Sequence, residues 1–455
     1  MRAEYVTKQV AGKNEPVCEE PLPVMSSPNE WEAWLYDNVT GERLDAKKVH
    51  EARAEEIKTI KAMKVWRLEA RRPDMYVIKT RWVDVNKGDA TNPKYRNRLV
   101  AKEIKGNSSI DWHYFAAMPP LSALRLLFVV ATTEGLRDPE GNVISFGDEQ
   151  PMISFVDVKK AHFWSPATRK VWVELPAEAE APQGTVGRLL RSMYGCRDAS
   201  LNWETTVRKV LTSIGFVSGK GNPCLYWHRE RNIRTLVHGD DFPIVATRPQ
   251  LEWLHAEMRK HWEIVVRGIL SPNGESGTVK DIIVLNRLIT WTPNGLEIEA
   301  DPRHATLVVR DMDVQNAVKT PMVHDSVANA EDDDEKEIDS SRAAQYRSCA
   351  MRVSYLSEDR PDLRCVARQL ATGASRPQEH HWRKLKRVAR FLLHRPRLVQ
   401  KFPNQSWIES TIDGWSDSNH AGCIRTRKST SGCAIMVGRS CIRHYTRGQG
   451  VIALS

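Results

Sequence analysis

Three aspartates stand where this sequence could bring carboxylates together. Asp157 lies near the end of the apolar run 152–158, and Asp240 and Asp241 are adjacent between two apolar runs. Adjacent carboxylates repel each other unless a cation shares them, and three carboxylates form an oxygen-rich site that suits Mg²⁺. Two such ions could activate a hydroxyl and neutralise a leaving pyrophosphate, so the chemistry indicated is phosphoryl transfer. The alternative is that Gly239-Asp240-Asp241 is only a favourable turn.

Strands must position these aspartates, and the surrounding pattern predicts them. Residues 152–158 are typical of a buried strand, and residues 233–247 predict a hairpin with its tight turn at 239–241. Residues 75–85 and 98–105 predict a second hairpin with a basic face, and strands are expected again after residue 412. Helices are predicted over residues 46–70, 122–135 (with Ser122 as its N-cap), 199–214, 249–262, 341–370 and 379–393.

Composition sets the broad class of the protein. The 455 residues are 41% hydrophobic and 27% charged, which predicts a globular chain of two to four domains. A net charge of +10 favours a polyanionic partner such as nucleic acid, although simple basic solubility is the alternative. Eight scattered cysteines without a CxxC pair argue against structural zinc and for reduced, intracellular thiols. No run is long enough to span a membrane, so no membrane partner is expected.

Several segments, in order, resemble the reverse transcriptase of copia-type retrotransposons. The resemblance covers residues from about 64 to 455. The segments that carry it are TRWVDVNKGDATNPKYRNRLVAKEIKG, SIDWHYFAAMPPLSALRLLFVVA, FVDVKKAHF, RSMYGCRDASLNW, LVHGDDF, NAVKTPM and YRSCAMRVSYLSEDRPDLRCVARQLA.

The resemblance implies an α+β fold of palm, fingers and thumb followed by a truncated ribonuclease-H-like segment. The domains expected are a tail and helical lead-in (1–63), fingers and palm (64–250), a thumb-like region with an acidic linker (251–335), and connection helices with the ribonuclease-H-like segment (336–455). The implied activity is RNA-directed DNA synthesis: deoxynucleoside triphosphates are added to a primer 3′ end on an RNA or DNA template, with two Mg²⁺ ions or Mn²⁺. The implied location is a cytoplasmic particle or the nucleus. Oligomeric state stays open.

The resemblance also assigns site residues. Asp157, Asp240 and Asp241 match the metal-binding, catalytic carboxylates of the family. Arg98 and Lys102 match strand positions that face the phosphates of the incoming nucleotide, although a solvated basic face is the alternative. His162 stands where the family has an aromatic residue under the nucleotide sugar.

Some positions depart from the family pattern. His238-Gly239 replaces Tyr-Val before the paired aspartates, and Asp198 replaces a glutamine that helps to hold nucleotide and template. An acid at position 198 would repel phosphate, and the adjacent Arg197 is a candidate to compensate. These changes leave the three aspartates intact and bear on rate and fidelity.

The last segment, from about residue 411, resembles the start of a ribonuclease H domain, in which Asp417 matches the first metal carboxylate. The remaining carboxylates of that domain are not in this chain, so we expect no ribonuclease H activity and a partly exposed sheet edge. Two alternatives stay open. One is a degenerate copy that binds nucleic acid without catalysis. The other is a structural fragment of a polyprotein, in which residues 336–455 alone would aggregate while 40–335 would not.

Overall fold

The fold was analysed in a computed structural model. It describes residues 35–38, 41–89, 91–104, 114–137, 141, 143–147, 149–323, 335–406, 412–423 and 426–452. The predicted N-terminal tail and residues 331–334 of the predicted acidic linker lie outside these ranges. Within them, no helix combines the length and the apolarity that crossing a membrane would require.

Eight α-helices are described: α1 (Ala46–Ala62), α2 (Leu121–Ala131), α3 (Ala199–Ser213), α4 (Arg248–His261), α5 (Arg303–Asp311), α6 (Ser340–Leu356), α7 (Pro361–Thr372) and α8 (Glu379–His394). The strands described before α4 are β1 (Trp66–Ala70), β2 (Val77–Ile78), β3 (Thr80–Asn86), β4 (Tyr95–Ala101), β5 (Gly135–Arg137), β6 (Val143–Ser145), β7 (Met152–Val158), β8 (Trp172–Val173), β9 (Thr185–Leu189), β10 (Val217–Ser218), β11 (Leu225–His228), β12 (Ile233–Leu236) and β13 (Asp241–Ala246). Those after α4 are β14 (Ile264–Leu270), β15 (Asp281–Val284), β16 (Arg287–Thr292), β17 (Gly295–Ala300), β18 (Gln400–Pro403), β19 (Ile412–Asn419), β20 (Lys428–Val437) and β21 (Ser440–Ile452).

The first compact unit comprises residues 1–115 and 162–203. Its sheet has the order β1-β9-β8-β2, and β3 and β4 form a separate antiparallel hairpin. A shared apolar core joins α1 to these strands, with Ile60, Leu99, Phe163 and Met193 almost fully buried. This core fixes the hairpin that carries Arg98 and that Lys102 directly follows.

The second compact unit comprises residues 116–161 and 204–455. Its main sheet has the order β10-β11-β12-β13-β7-β14, with antiparallel pairing throughout. The strands β7 and β13 are apolar on both faces, because α2 and α4 also pack against this sheet. Helices and antiparallel sheets together confirm the α+β class.

Two further sheets and a helical cluster complete the second unit. The strands β15, β16 and β17 form one sheet with β18, although about 100 residues separate β18 from β17 in the chain. The helices α5 to α8 share a second apolar core around Tyr346, Val353, Leu370 and Leu385. The sheet β19-β20-β21 leaves β19 at an edge, and every residue of β19 is exposed.

A buried ion cluster links distant parts of the second unit. Asp359 is fully buried and accepts hydrogen bonds from Arg125 of α2 at 3.0 Å and from Arg287 of β16 at 2.8 Å. A buried carboxylate that contacts two guanidinium groups is costly to leave without them, because its desolvation is then uncompensated.

Most predicted elements are present, with three corrections. The helix predicted over 46–70 ends at Ala62, and residues 66–70 form β1 because they pair with β9. Ser122 is not the N-cap of α2, since that position is Pro120, which offers no side-chain cap. The helix predicted over 341–370 is two helices, because Pro361 cannot continue α6 and instead begins α7. The predicted domain boundaries stay a prediction.

Candidate active site

Strand pairing brings Asp157 and Asp241 side by side. In the antiparallel register of β7 and β13, Asp157 lies directly opposite Asp241, as Val156 lies opposite Phe242. Directly opposite residues on antiparallel strands project their side chains from the same face, with Cβ atoms roughly 5 Å apart. The sequence analysis predicted that Asp157 and Asp241 lie close together although they come from separate segments, and the strand register places them opposite each other.

A tight turn places Asp240 at the same end of the sheet. His238 and Asp241 exchange backbone hydrogen bonds of 2.9 and 3.1 Å, which leaves Gly239 and Asp240 as the two central residues. Gly239 has a φ of +64°, a value that glycine adopts readily at the first central position of a type II′ turn. The backbone carbonyl of Asp240 accepts a hydrogen bond from Val158 at 2.9 Å. The turn is therefore tied to the strand that carries Asp157.

The electrostatics of this sheet end are repulsive. Burial raises the pKa of the Asp241 carboxyl above its ordinary value, and the charges of Asp240 and Asp157 raise it further. Arg267 of β14 opposes this, with its Nη1 at 3.4 Å from Asp241 Oδ1. The partly exposed guanidinium of Arg267 thus offsets part of the repulsion at Asp241, whose pKa nevertheless stays raised.

The donor set fits a hard divalent cation such as Mg²⁺, because Asp157, Asp240 and Asp241 offer only carboxylate oxygens. Among the residues that the structure describes, however, no three His, Cys, Asp or Glu side chains converge as a ready-made metal site. The backbone brings the three aspartates to one place, and their side chains are not drawn together around a common point.

The predicted nucleotide-binding residues Arg98 and His162 meet around Tyr194 in the first unit. The guanidinium carbon of Arg98 lies 4.8 Å from the centre of the Tyr194 ring, and the His162 ring meets it edge-on at 4.7 Å. Gly195 allows β4 to approach, since a Cβ there would lie 2.0 Å from the Ala101 carbonyl oxygen. Lys102 follows β4 and is exposed. Tyr194 was not among the predicted site residues, although it lies between the buried Met193 and Gly195, where the chain packs closely.

Asp198 is neutralised by a residue that the sequence analysis did not consider. Arg169 donates to Asp198 at 2.9 Å and to both carboxylate oxygens of Glu103. Burial alone would raise the pKa of Asp198, but the hydrogen bond and charge of Arg169 outweigh it and hold that pKa below its ordinary value. The backbone N–H of Arg197 binds Glu103 at 2.9 Å. Arg169 therefore provides the compensation for which Arg197 was the candidate.

Asp417 lies on the exposed edge strand β19, opposite Gly432 of β20. It is the sixth of the eight residues in that strand. One of its carboxylate oxygens accepts a hydrogen bond from the backbone N–H of Ser418 at 2.7 Å. A metal role for Asp417 stays a prediction.

Comparison with known families characterises the segment that contains the three aspartates. Residues 63–271 match the family model described as reverse transcriptase (RNA-dependent DNA polymerase). The chain carries a reverse transcriptase domain. The matched range includes Asp157, Asp240 and Asp241, and also Arg98, Lys102 and His162. The resemblance to copia-type proteins is confirmed, since the relatives of this chain include Pol polyproteins of copia-type plant transposons.

Individual relatives give the extent of that similarity. The Retrovirus-related Pol polyprotein from transposon RE2 of Arabidopsis thaliana is 24% identical over 397 residues, which are 84% of this chain and 25% of the relative. The chain thus spans about a quarter of that polyprotein. The Secreted RxLR effector protein 161 of Plasmopara viticola is 32% identical over 111 residues, which are 24% of this chain and 77% of the effector. A solved foamy viral protease-reverse transcriptase in complex with double-stranded DNA is 12% identical, with a TM-score of 0.47, over 88% of this chain and 56% of that one.

Proposed function

We propose that this chain is an RNA-directed DNA polymerase that extends a primer 3′ end on an RNA or DNA template. The observation that carries the proposal is the pairing of β7 with β13, which sets Asp157 opposite Asp241 within the reverse transcriptase domain. The primer hydroxyl oxygen would bond to the α-phosphorus of a deoxynucleoside triphosphate. The bond from that phosphorus to the bridging oxygen would break, pyrophosphate would leave, and the hydroxyl proton would pass to water.

Asp157, Asp240 and Asp241 are the residues that would hold Mg²⁺ or Mn²⁺. Such ions, when bound, offset the negative charge that develops on the attacking and leaving oxygens. In the first unit, the Tyr194 ring holds Arg98, whose positive charge suits a triphosphate, and packs against His162, which would lie under the sugar. Arg169 keeps Asp198 paired, so that its charge is not free to repel a phosphate.

The test is primer extension on an RNA template with the 455-residue chain, in Mg²⁺ and in Mn²⁺. We expect Asp157→Asn to slow extension on the order of a thousandfold or more, because loss of a metal carboxylate removes several kcal/mol of transition-state stabilisation. Asp281→Asn is the matched control, since Asp281 is exposed at the start of β15. Equal extension by wild type and Asp157→Asn would contradict the assignment of the aspartates.

The second candidate function is nucleic-acid binding without catalysis. It is favoured by the observation that no three metal-binding side chains converge in the described part of the chain. In that case neither the wild type nor Asp157→Asn would extend a primer in either metal, while both would retain salt-sensitive binding to the template.

Helix α8 offers a basic surface for nucleic acid in either case. Eight lysines and arginines lie between Glu379 and Lys401, and Glu379 is the single acidic residue of that range. Lys386 is exposed, while Arg387 and Arg390 are partly exposed and donate to neutral oxygens of Thr320 and Asn316. Such cations are available to contact backbone phosphates.

Replacing Lys386, Arg387 and Arg390 together by glutamine should weaken binding to a primer–template and reduce its salt dependence. We expect the slope of log K against log salt to fall in magnitude by about 2–3, since each phosphate contact contributes roughly 0.9 on a duplex. Fluorescence anisotropy over a salt series measures this slope. The control replaces the exposed Lys47, Lys48 and Lys58 of α1. An equal change in both triple variants would show that net charge, and not the α8 surface, governs binding.

A further inference from the structure

Arg267 lies where the pairing of β14 with β7 is irregular. Val266 pairs with Val156 and Gly268 pairs with Phe155, so Arg267 is an extra residue, a β-bulge. A Cβ on Gly268 would lie 3.1 Å from side-chain atoms of both Ile282 and Val279, which leaves little room for any other residue there. The bulge takes the Arg267 side chain out of the regular alternation of the strand.

The redirected guanidinium reaches the catalytic carboxylates. The sheet order β13-β7-β14 places Val265, Asp157 and Asp241 in one row across three strands, and Arg267 is two residues beyond the first of them. Its Nη1 lies 3.4 Å from Asp241 Oδ1 and its Nη2 donates to the Ile283 carbonyl at 2.9 Å. One end of the guanidinium is therefore anchored to β15 while the other faces Asp241.

We propose that Arg267 is a resident counter-charge that holds Asp241 in the metal-free protein and competes with the divalent ion for the carboxylates. This inference rests on the proposed function, since it concerns the metal site of that activity. Arg267 offers the Asp241 carboxylate one positive charge, whereas a divalent ion offers two. A bound ion would therefore draw on the same Asp241 carboxylate that Arg267 contacts.

Arg267 thereby acts as a positioning residue and sets the metal concentration at which the site fills. The anchor on Ile283 keeps the guanidinium within reach of Asp241 before the ion binds and keeps it beside the site afterwards. Its repulsion of the bound ion lowers metal affinity, and its attraction for Asp241 stabilises the metal-free arrangement.

The test is titration of the full 455-residue chain with Mn²⁺, followed by the electron paramagnetic resonance of free Mn²⁺, without primer, template or nucleotide. We expect Arg267→Gln to bind Mn²⁺ on the order of ten times more tightly than the wild type, as removal of one partly exposed charge a few ångströms from a dication predicts. Arg248→Gln is the matched control: it removes the same charge at the start of α4, where Arg248 binds the Ser276 carbonyl, and it should leave Mn²⁺ affinity unchanged.

Thermal unfolding in a chelator gives a second readout. Arg267→Gln should unfold at a lower temperature than the wild type without metal, and its stabilisation by saturating Mn²⁺ should exceed that of the wild type. Unchanged or weaker Mn²⁺ binding by Arg267→Gln would overturn the inference, as would the absence of Mn²⁺ binding by both proteins.

If Arg267→Gln gains Mn²⁺ affinity while wild type fails to extend a primer, the polymerase assignment fails and the counter-charge assignment stands. If wild type extends a primer and Arg267→Gln leaves Mn²⁺ affinity unchanged, the counter-charge assignment fails and the polymerase assignment stands.

Discussion

Glu103 and Asp198 lie in one compact unit, Asp157, Asp240 and Asp241 lie in the other, and the two sets of carboxylates have different surroundings. Arg169 donates hydrogen bonds to both Glu103 and Asp198, whose pKa values lie below the ordinary range. Asp241 has a raised pKa, and its carboxylate lies 3.4 Å from the guanidinium of Arg267. Carboxylates that are fully paired inside the protein stabilise its fold. A set left mutually repulsive is costly to the fold and is therefore a candidate for binding a ligand.

The largest expected effect is on stability, when Glu103 and Asp198 lose the arginine that pairs with them. Arg169→Met leaves the buried Asp198 and the largely buried Glu103 without their guanidinium, so we expect the free energy of unfolding to fall by about 2–3 kcal/mol. Urea denaturation of the variant measures the change. Arg67→Met is the control, because Arg67 is more than half exposed and its pair with Glu69 should contribute less than about 1 kcal/mol. Similar losses in both variants would contradict the distinction between buried and surface pairs.

The pH dependence of Asp198 provides an intermediate effect. Its folded-state pKa is depressed, so its stabilisation is fully present above the unfolded value near 3.8 and is lost as pH falls through the lower folded value. We expect Asp198→Asn to lower the free energy of unfolding by roughly 1–2 kcal/mol between pH 5 and pH 8. Below about pH 4 the difference from the wild type should shrink. A difference that persists at pH 2.5 would assign the effect to shape and not to charge.

The smallest effect is a gain in stability, expected when one of the mutually repulsive aspartates loses its charge. Asp241→Asn removes one of three like charges and keeps the side-chain shape, so the metal-free protein should gain up to about 1 kcal/mol of unfolding free energy. Thermal or urea denaturation in a chelator, beside Asp281→Asn, measures this. A clear loss of stability in Asp241→Asn would place Asp241 with the paired carboxylates and break the comparison.

Much of this site could be predicted from local sequence, and the rest depends on long-range pairing. Apolar runs and the Gly239-Asp240 turn were enough to predict β7 and the β12–β13 hairpin, because both signals are local. The partner of Asp198 was not predictable, since Arg169 lies 29 residues away and nothing in its neighbourhood marks it. The contact of Arg267 with Asp241 was not predictable for a related reason. A β-bulge changes which residues face each other, and regular strand periodicity gives no sign of it. The helix prediction was wrong for residues 66–70 because their pairing with β9 outweighs the local helical pattern.

The pair formed by Asp359 with Arg125 and Arg287 also bears on where this polypeptide could be divided. Residues 40–335 were expected to remain soluble without the segment that follows. Such a piece would contain both arginines buried without Asp359, and β17 would lose β18 as its neighbour. A protease cut or an expression boundary near residue 335 would therefore not separate two independent folding units. The ion cluster and the β17–β18 pairing join the two apolar cores of the second unit, so proteolytic processing that preserves its structure must spare the stretch that carries Asp359 and β18.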